Sequence, residues 1–84
     1  MIEGEVIRIV DDNDAQRDAL QFMLESEGYM VRAYRSAKEF LTGEIFSESG
    51  CTILDLKMPE MDGLQLQQEL VNRGYQVPIV FLSA

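Results

Sequence analysis

Two apolar runs in this chain each end on carboxylates. Val6-Ile7-Arg8-Ile9-Val10 leads into Asp11-Asp12, and Cys51-Thr52-Ile53-Leu54 leads into Asp55. Carboxylate oxygens are hard ligands for small divalent cations, and a carboxylate beside such a cation can attack a phosphoryl group. An Asp-Asp pair ahead of a helix is by itself more often a capping loop. Asp55 argues against capping alone, because the next helix starts several residues later and has Asp62 as its own cap. Carboxylates gathered at one edge repel one another unless a cation offsets their charge. Mg²⁺ fits best, since it prefers oxygen ligands, keeps several waters, and binds through one or two carboxylates plus a phosphate. With no histidine and a single cysteine, zinc and copper sites are poor fits.

Two further residues bear on this centre. Lys57, two positions after Asp55, could present its backbone carbonyl to the metal while its side chain stays in solvent. Ser83 follows another apolar run, Val77-Pro78-Ile79-Val80-Phe81-Leu82, and could donate its hydroxyl to a phosphate oxygen. It could equally be a polar residue where a strand meets a loop.

The elements that must position these residues alternate in type. The runs at Val6, Tyr29-Met30-Val31-Arg32-Ala33-Tyr34, Cys51 and Val77 read as strands, rich in β-branched and aromatic residues. A helix is expected from about Asp14 to Glu27, capped by Asn13 or Asp14, turning Ala19, Leu20, Met23 and Leu24 inward and ending before Gly28. Ser36-Ala37-Lys38-Glu39 has capping-box spacing for a short helix that carries Phe40 and Leu41 inward and stops near Gly43. Asp62 caps a third helix that buries Leu66, Leu70 and Val71 and stops at Gly74. Strands alternating with helices imply right-handed crossovers and a parallel sheet covered on both faces. In the doubly wound order 2-1-3-4, strands one and three are neighbours, and ligands bind beyond their C-terminal ends. Asp11, Asp12 and Asp55 all fall there.

Composition narrows the function classes. Residues 1–84 form one domain at most, and 46% of them are hydrophobic, which indicates a folded module. Fifteen acidic against seven basic residues give a formal charge of −8, which opposes direct binding to nucleic acid or an anionic membrane. No apolar run is long enough to span a bilayer and no signal-peptide pattern opens the chain, so a cytoplasmic location is expected. Cys51, in apolar surroundings, is expected to be a buried core thiol.

Val10-Asp11-Asp12, then Asp55-Leu56-Lys57-Met58-Pro59-Glu60-Met61-Asp62-Gly63, then Phe81-Leu82-Ser83-Ala84, in this order and at these separations, resemble the receiver domains of two-component response regulators. The resemblance runs from about Val6 to the last residue. It implies a flavodoxin-like (CheY-like) doubly wound sheet, and a phosphoryl group accepted on Asp55 from a sensor histidine kinase or phosphotransfer protein. It also implies Mg²⁺ held by Asp11, Asp12, Asp55 and the Lys57 carbonyl, with Ser83 in the switch-hydroxyl position. Pro59 and Gly63 match the turn that keeps the following loop close to the site. The segment with Ser36-Ala37 and Phe40-Leu41 resembles the branch often joined to helix-turn-helix transcription activators.

The departure lies at the end, where such domains continue through a fifth strand, a phosphate-pairing lysine and a fifth helix. Strand four is then expected to form an apolar edge, Ile79-Val80-Phe81-Leu82, so that the chain is either a fragment or truncated product, or is completed by self-association, strand exchange or a partner. Two other readings compete with phosphoryl acceptance. One is a receiver-fold docking module that has lost phosphotransfer. The other is a Mg²⁺-dependent phosphatase built on Asp12-Asn13-Asp14, disfavoured because Gln16 stands where that motif carries Thr or Val.

Overall fold

The computed structural model describes residues 5–44 and 49–82. Along the chain run β1 (Val6–Val10), α1 (Asp14–Ser26), β2 (Met30–Tyr34), α2 (Ala37–Gly43), β3 (Gly50–Asp55), α3 (Gly63–Asn72) and β4 (Ile79–Leu82). The strands form one parallel sheet in the order β2-β1-β3-β4, as expected. Every element is present, with ends displaced by a residue or two. Pro78 lies just before β4, where its missing N–H disturbs no ladder, and its carbonyl accepts from Thr52 at 2.9 Å.

Local chemistry sets the helix ends. The Asn13 side chain accepts from the Gln16 N–H and caps α1, while Gly28, at φ 93°, takes the left-handed conformation just beyond it. Ser36 caps α2 by accepting from the Glu39 N–H, but the Glu39 carboxylate bonds the Arg35 N–H instead of closing a reciprocal box. The full capping box occurs at α3, where Asp62 and Gln65 each accept from the other's backbone N–H.

One face of the sheet is sealed. Val10, Ala37, Phe40, Leu54, Leu66 and Leu70 form a buried cluster, with Tyr34, Leu41, Met58, Ile79 and Phe81 packed on it. Side chains alternate along a strand, so Ile7, Ile9, Cys51, Ile53 and Val80 belong to the opposite face, toward α1. That face is covered only in part, and the expectations for α1 and Cys51 fail for that reason. Ala19 is exposed, Met23 is 53% exposed, and Leu20 and Leu24 are half-buried, so the buried residue of α1 is Arg17. Cys51 is half-buried. Val71, 62% exposed, falls off the inward stripe that Leu66 and Leu70 share on α3. The apolar row on β4 is likewise narrower than expected: Val80 is exposed, whereas Ile79 and Phe81 lean on the core.

A polar cluster interrupts the sealed face. Arg8, fully buried at mid-strand, pairs through Nε with the Glu44 carboxylate, which the C-cap of α2 delivers. Arg32 reaches the same carboxylate at 3.2 Å, and the Tyr34 hydroxyl donates to its other oxygen. Burial, then the bond to Glu44 and the charge of that residue, push the Tyr34 hydroxyl up to about 12, against partial opposition from Arg32 and Arg8. The folded state thus holds this proton more tightly than the unfolded chain does. Its contribution to stability is complete below the ordinary tyrosine value of 10.0 and is lost as pH rises through about 12. Urea unfolding across that interval should show a steeper loss of stability for the wild-type chain than for Tyr34→Phe; parallel losses would refute the linkage.

Candidate functional site

Strand pairing builds the site. In β1 and β3, Val10 pairs with Leu54, so the next residues, Asp11 and Asp55, emerge side by side at the C-terminal edge of the sheet. The ladders continue past the strand ends, with the Asp11 N–H donating to the Tyr34 carbonyl and the Leu56 N–H to the Leu82 carbonyl, each at 3.1 Å. One carboxylate oxygen each from Asp11, Asp12 and Asp55 lies within 4.8 Å of the others. The sequence-predicted acidic residues therefore meet.

Their surroundings differ. Asp11 is fully buried and Asp55 is 8% exposed, while Asp12 faces solvent. Asp11 Oδ1 accepts from the Asn13 N–H at 2.9 Å, and Asp55 Oδ1 accepts from the Lys57 N–H at 3.2 Å. The second Asp11 oxygen, Oδ2, is buried with no hydrogen-bond partner among the described residues. Buried carboxylate oxygens are rarely left so. Two buried carboxylates and an exposed one, with an orphaned oxygen among them, fit a hard divalent cation reached from the solvent side. A groove of about 520 Å³ opens beside Asp12, with Ala37, Leu41, Met58 and Met61 among its walls and Arg35 and Lys38 along it.

The loop after Asp55 is held by close backbone contact. A Cβ added at Gly63 would stand 2.5 Å from the Asp55 carbonyl oxygen and 3.1 Å from Leu56 Cα, so only glycine lets α3 begin this near the end of β3. The Gly63 N–H bonds the Leu56 carbonyl at 3.2 Å. Glu60, in the same loop, takes a positive φ of 69°. The exposed Lys57 side chain points away from any role in the core, as its position predicted. Ser83 lies outside the described residues; Leu82, just before it, pairs with Asp55.

Residues 7–84 match the family described as the response regulator receiver domain. The chain belongs to that family. This receiver is 47% identical over 76 residues to the transcriptional regulatory protein TdiR of Thauera aromatica, covering 90% of this chain and 34% of that protein. It is similar in structure to the response regulator StyR, with a TM-score of 0.93 and 34% identity over 96% of this chain and 41% of the other. It is also similar to TrrA of Thermotoga maritima, solved in complex with Mg²⁺-BeF, at a TM-score of 0.82 and 31% identity over 95% of this chain and 70% of the other. The receiver spans about a third of the length of the curated relatives it matches. Receiver domains are signalling domains of two-component systems, and the fold and family anticipated from the motifs are those found. Among the described residues no helix is long and apolar enough to cross a membrane.

Sequence reasoning missed one residue at this site. Arg17, to which the motifs gave no role, is buried behind the Asp11-Asp12 turn, bonded to the Asp11 carbonyl and to Asp14. The Asp14-to-Arg17 spacing, one helical turn, was the available signal. For Gly63→Ala, the forced shift of the loop should cost about 1–3 kcal/mol of stability, as overpacking does. It should also weaken Mg²⁺ binding, read by chemical unfolding and by calorimetric titration; unchanged values for both would refute the close-approach argument.

Proposed function

We propose that this receiver accepts a phosphoryl group on Asp55 in a Mg²⁺-dependent reaction, with a sensor histidine kinase or phosphotransfer protein as donor. The observation that carries the reading is the meeting of Asp11, Asp12 and Asp55, with the Asp11 Oδ2 atom buried and unpartnered among the described residues. Asp11, Asp12, Asp55 and the Lys57 backbone carbonyl would hold the cation, whose chemistry is to offset negative charge on the transferring oxygens. The chain's own part is positional. The Lys57 N–H fixes one Asp55 oxygen and so orients the other toward an incoming phosphorus. As that oxygen bonds to phosphorus, the bond from phosphorus to the donor's leaving group breaks, and the leaving group departs with the electron pair. The Ser83 hydroxyl is assigned the switch role of its position in the family.

Some of the relatives, TdiR among them, are transcriptional regulatory proteins by name, so the output assigned here is transcription control in the cytoplasm, exerted through segments or partners other than this acidic surface. Similarity to a receiver solved with Mg²⁺-BeF supports the choice of cation. Incubation with Mg²⁺ and radiolabelled acetyl phosphate should label the wild-type chain, with no label on Asp55→Asn or when the metal is chelated. A wild-type chain that stays unlabelled with Mg²⁺ present would refute phosphoryl acceptance and favour the docking-module reading.

A second copy is the proposed partner for β4, which forms one edge of the described sheet and exposes Val80. Sedimentation should show dimers that Val80→Lys dissociates; a stable monodisperse monomer would refute this pairing.

A further inference from the structure

Arg17 is the one buried residue of α1, and it bonds the backbone of the acidic pair and not its carboxylates. Its Nη1 donates to the Asp11 carbonyl oxygen at 3.0 Å, and its Nη2 reaches the Asp14 carboxylate at 2.6 Å. A guanidinium presents these donors in a rigid fork, so the two contacts fix its plane. The Asp11 carbonyl belongs to the peptide unit that joins Asp11 to Asp12, and that unit is planar. To grip this oxygen is to set the direction in which Asp12 leaves the strand.

The two aspartates depend on this grip unequally. Asp11 is anchored otherwise, by its own N–H on Tyr34 and by the Asn13 N–H on its Oδ1. Asp12 is exposed, so its carboxylate is aimed chiefly by its backbone. From these contacts, and resting on the Mg²⁺-dependent reading above, we infer that Arg17 is a positioning residue for the metal site. It orients the Asp11-Asp12 peptide so that Asp12 converges on Asp11 and Asp55. Its positive charge is directed at a carbonyl and at Asp14, outside the trio, which leaves the orphaned Asp11 oxygen open to a cation.

A rival role predicts the opposite sign. If Arg17 merely neutralised the acidic edge, it would compete with a cation, and its removal would tighten Mg²⁺ binding. As a positioning residue its removal must loosen binding, by about 10- to 100-fold, the usual effect of losing a support behind a metal ligand. The test is calorimetric titration of the 84-residue chain with Mg²⁺, alongside thermal unfolding without metal. Arg17→Gln should weaken binding, and Arg17→Lys should too, because an ammonium keeps the charge but loses the fork. In an Asp12→Asn background the same Arg17→Gln change should have little further effect, because the ligand it aims is already gone. Should Arg17→Gln fail to fold, Asp14→Asn frees one arm of the fork and should weaken Mg²⁺ several-fold. Binding by the folded Arg17 or Asp14 variant as tight as wild type or tighter, or an equal penalty with and without Asp12, would overturn the assignment. A wild-type chain that binds no Mg²⁺ would instead remove the proposed function, and this inference with it.

Discussion

The acidic edge exists because β1 and β3 are parallel neighbours in a fixed register. A slip of one residue would turn every side chain of a strand to the other face and separate Asp11 from Asp55. What opposes such a slip is the burial just beneath the carboxylates, where Val10 and Leu54 are paired and fully enclosed. Mutual repulsion among three carboxylates is thus borne by apolar packing one residue away. The strands could not end on these residues without that support, and a cation at the edge would lower the strain on it.

The two faces of the sheet give different kinds of support. Phe40, Leu54, Leu66 and Leu70 seal one face, and Glu44 binds the end of α2 to Arg8 in mid-sheet. Breaking such a buried pair by removing one partner costs far more than the pair itself contributes, so α2 is tied to the sheet polar group to polar group as well as by packing. The other face is thinner. There α1 contributes a buried arginine in place of an apolar stripe, and that arginine braces the loop carrying Asp11 and Asp12. Packing and the acidic loop therefore meet in one side chain.

The chain itself states the order of the elements, the strand runs that end on Asp11 and Asp55, and the caps at Asn13, Ser36 and Asp62. These are legible because periodicity and capping act over a few residues. The inward faces were read less well. Ala19 and Met23 fit helical spacing, yet they are exposed, because spacing defines a stripe without saying how much of it a neighbour covers.

Tertiary structure decided what depends on residues far apart in the chain. The 4.8 Å convergence of the carboxylates joins Asp11 to a residue of another strand, and Arg8 finds its counter-charge 36 positions away. The need for glycine at position 63 comes from the Asp55 backbone that lies against it. Arg17 is the most local of these cases and still could not be read, because its pairing with Asp14 is written in the spacing but its burial against the Asp11 carbonyl is not. Local sequence sets which groups are available. Desolvation and contact geometry, which exist only once the sheet and helices have packed, set which of them must work together.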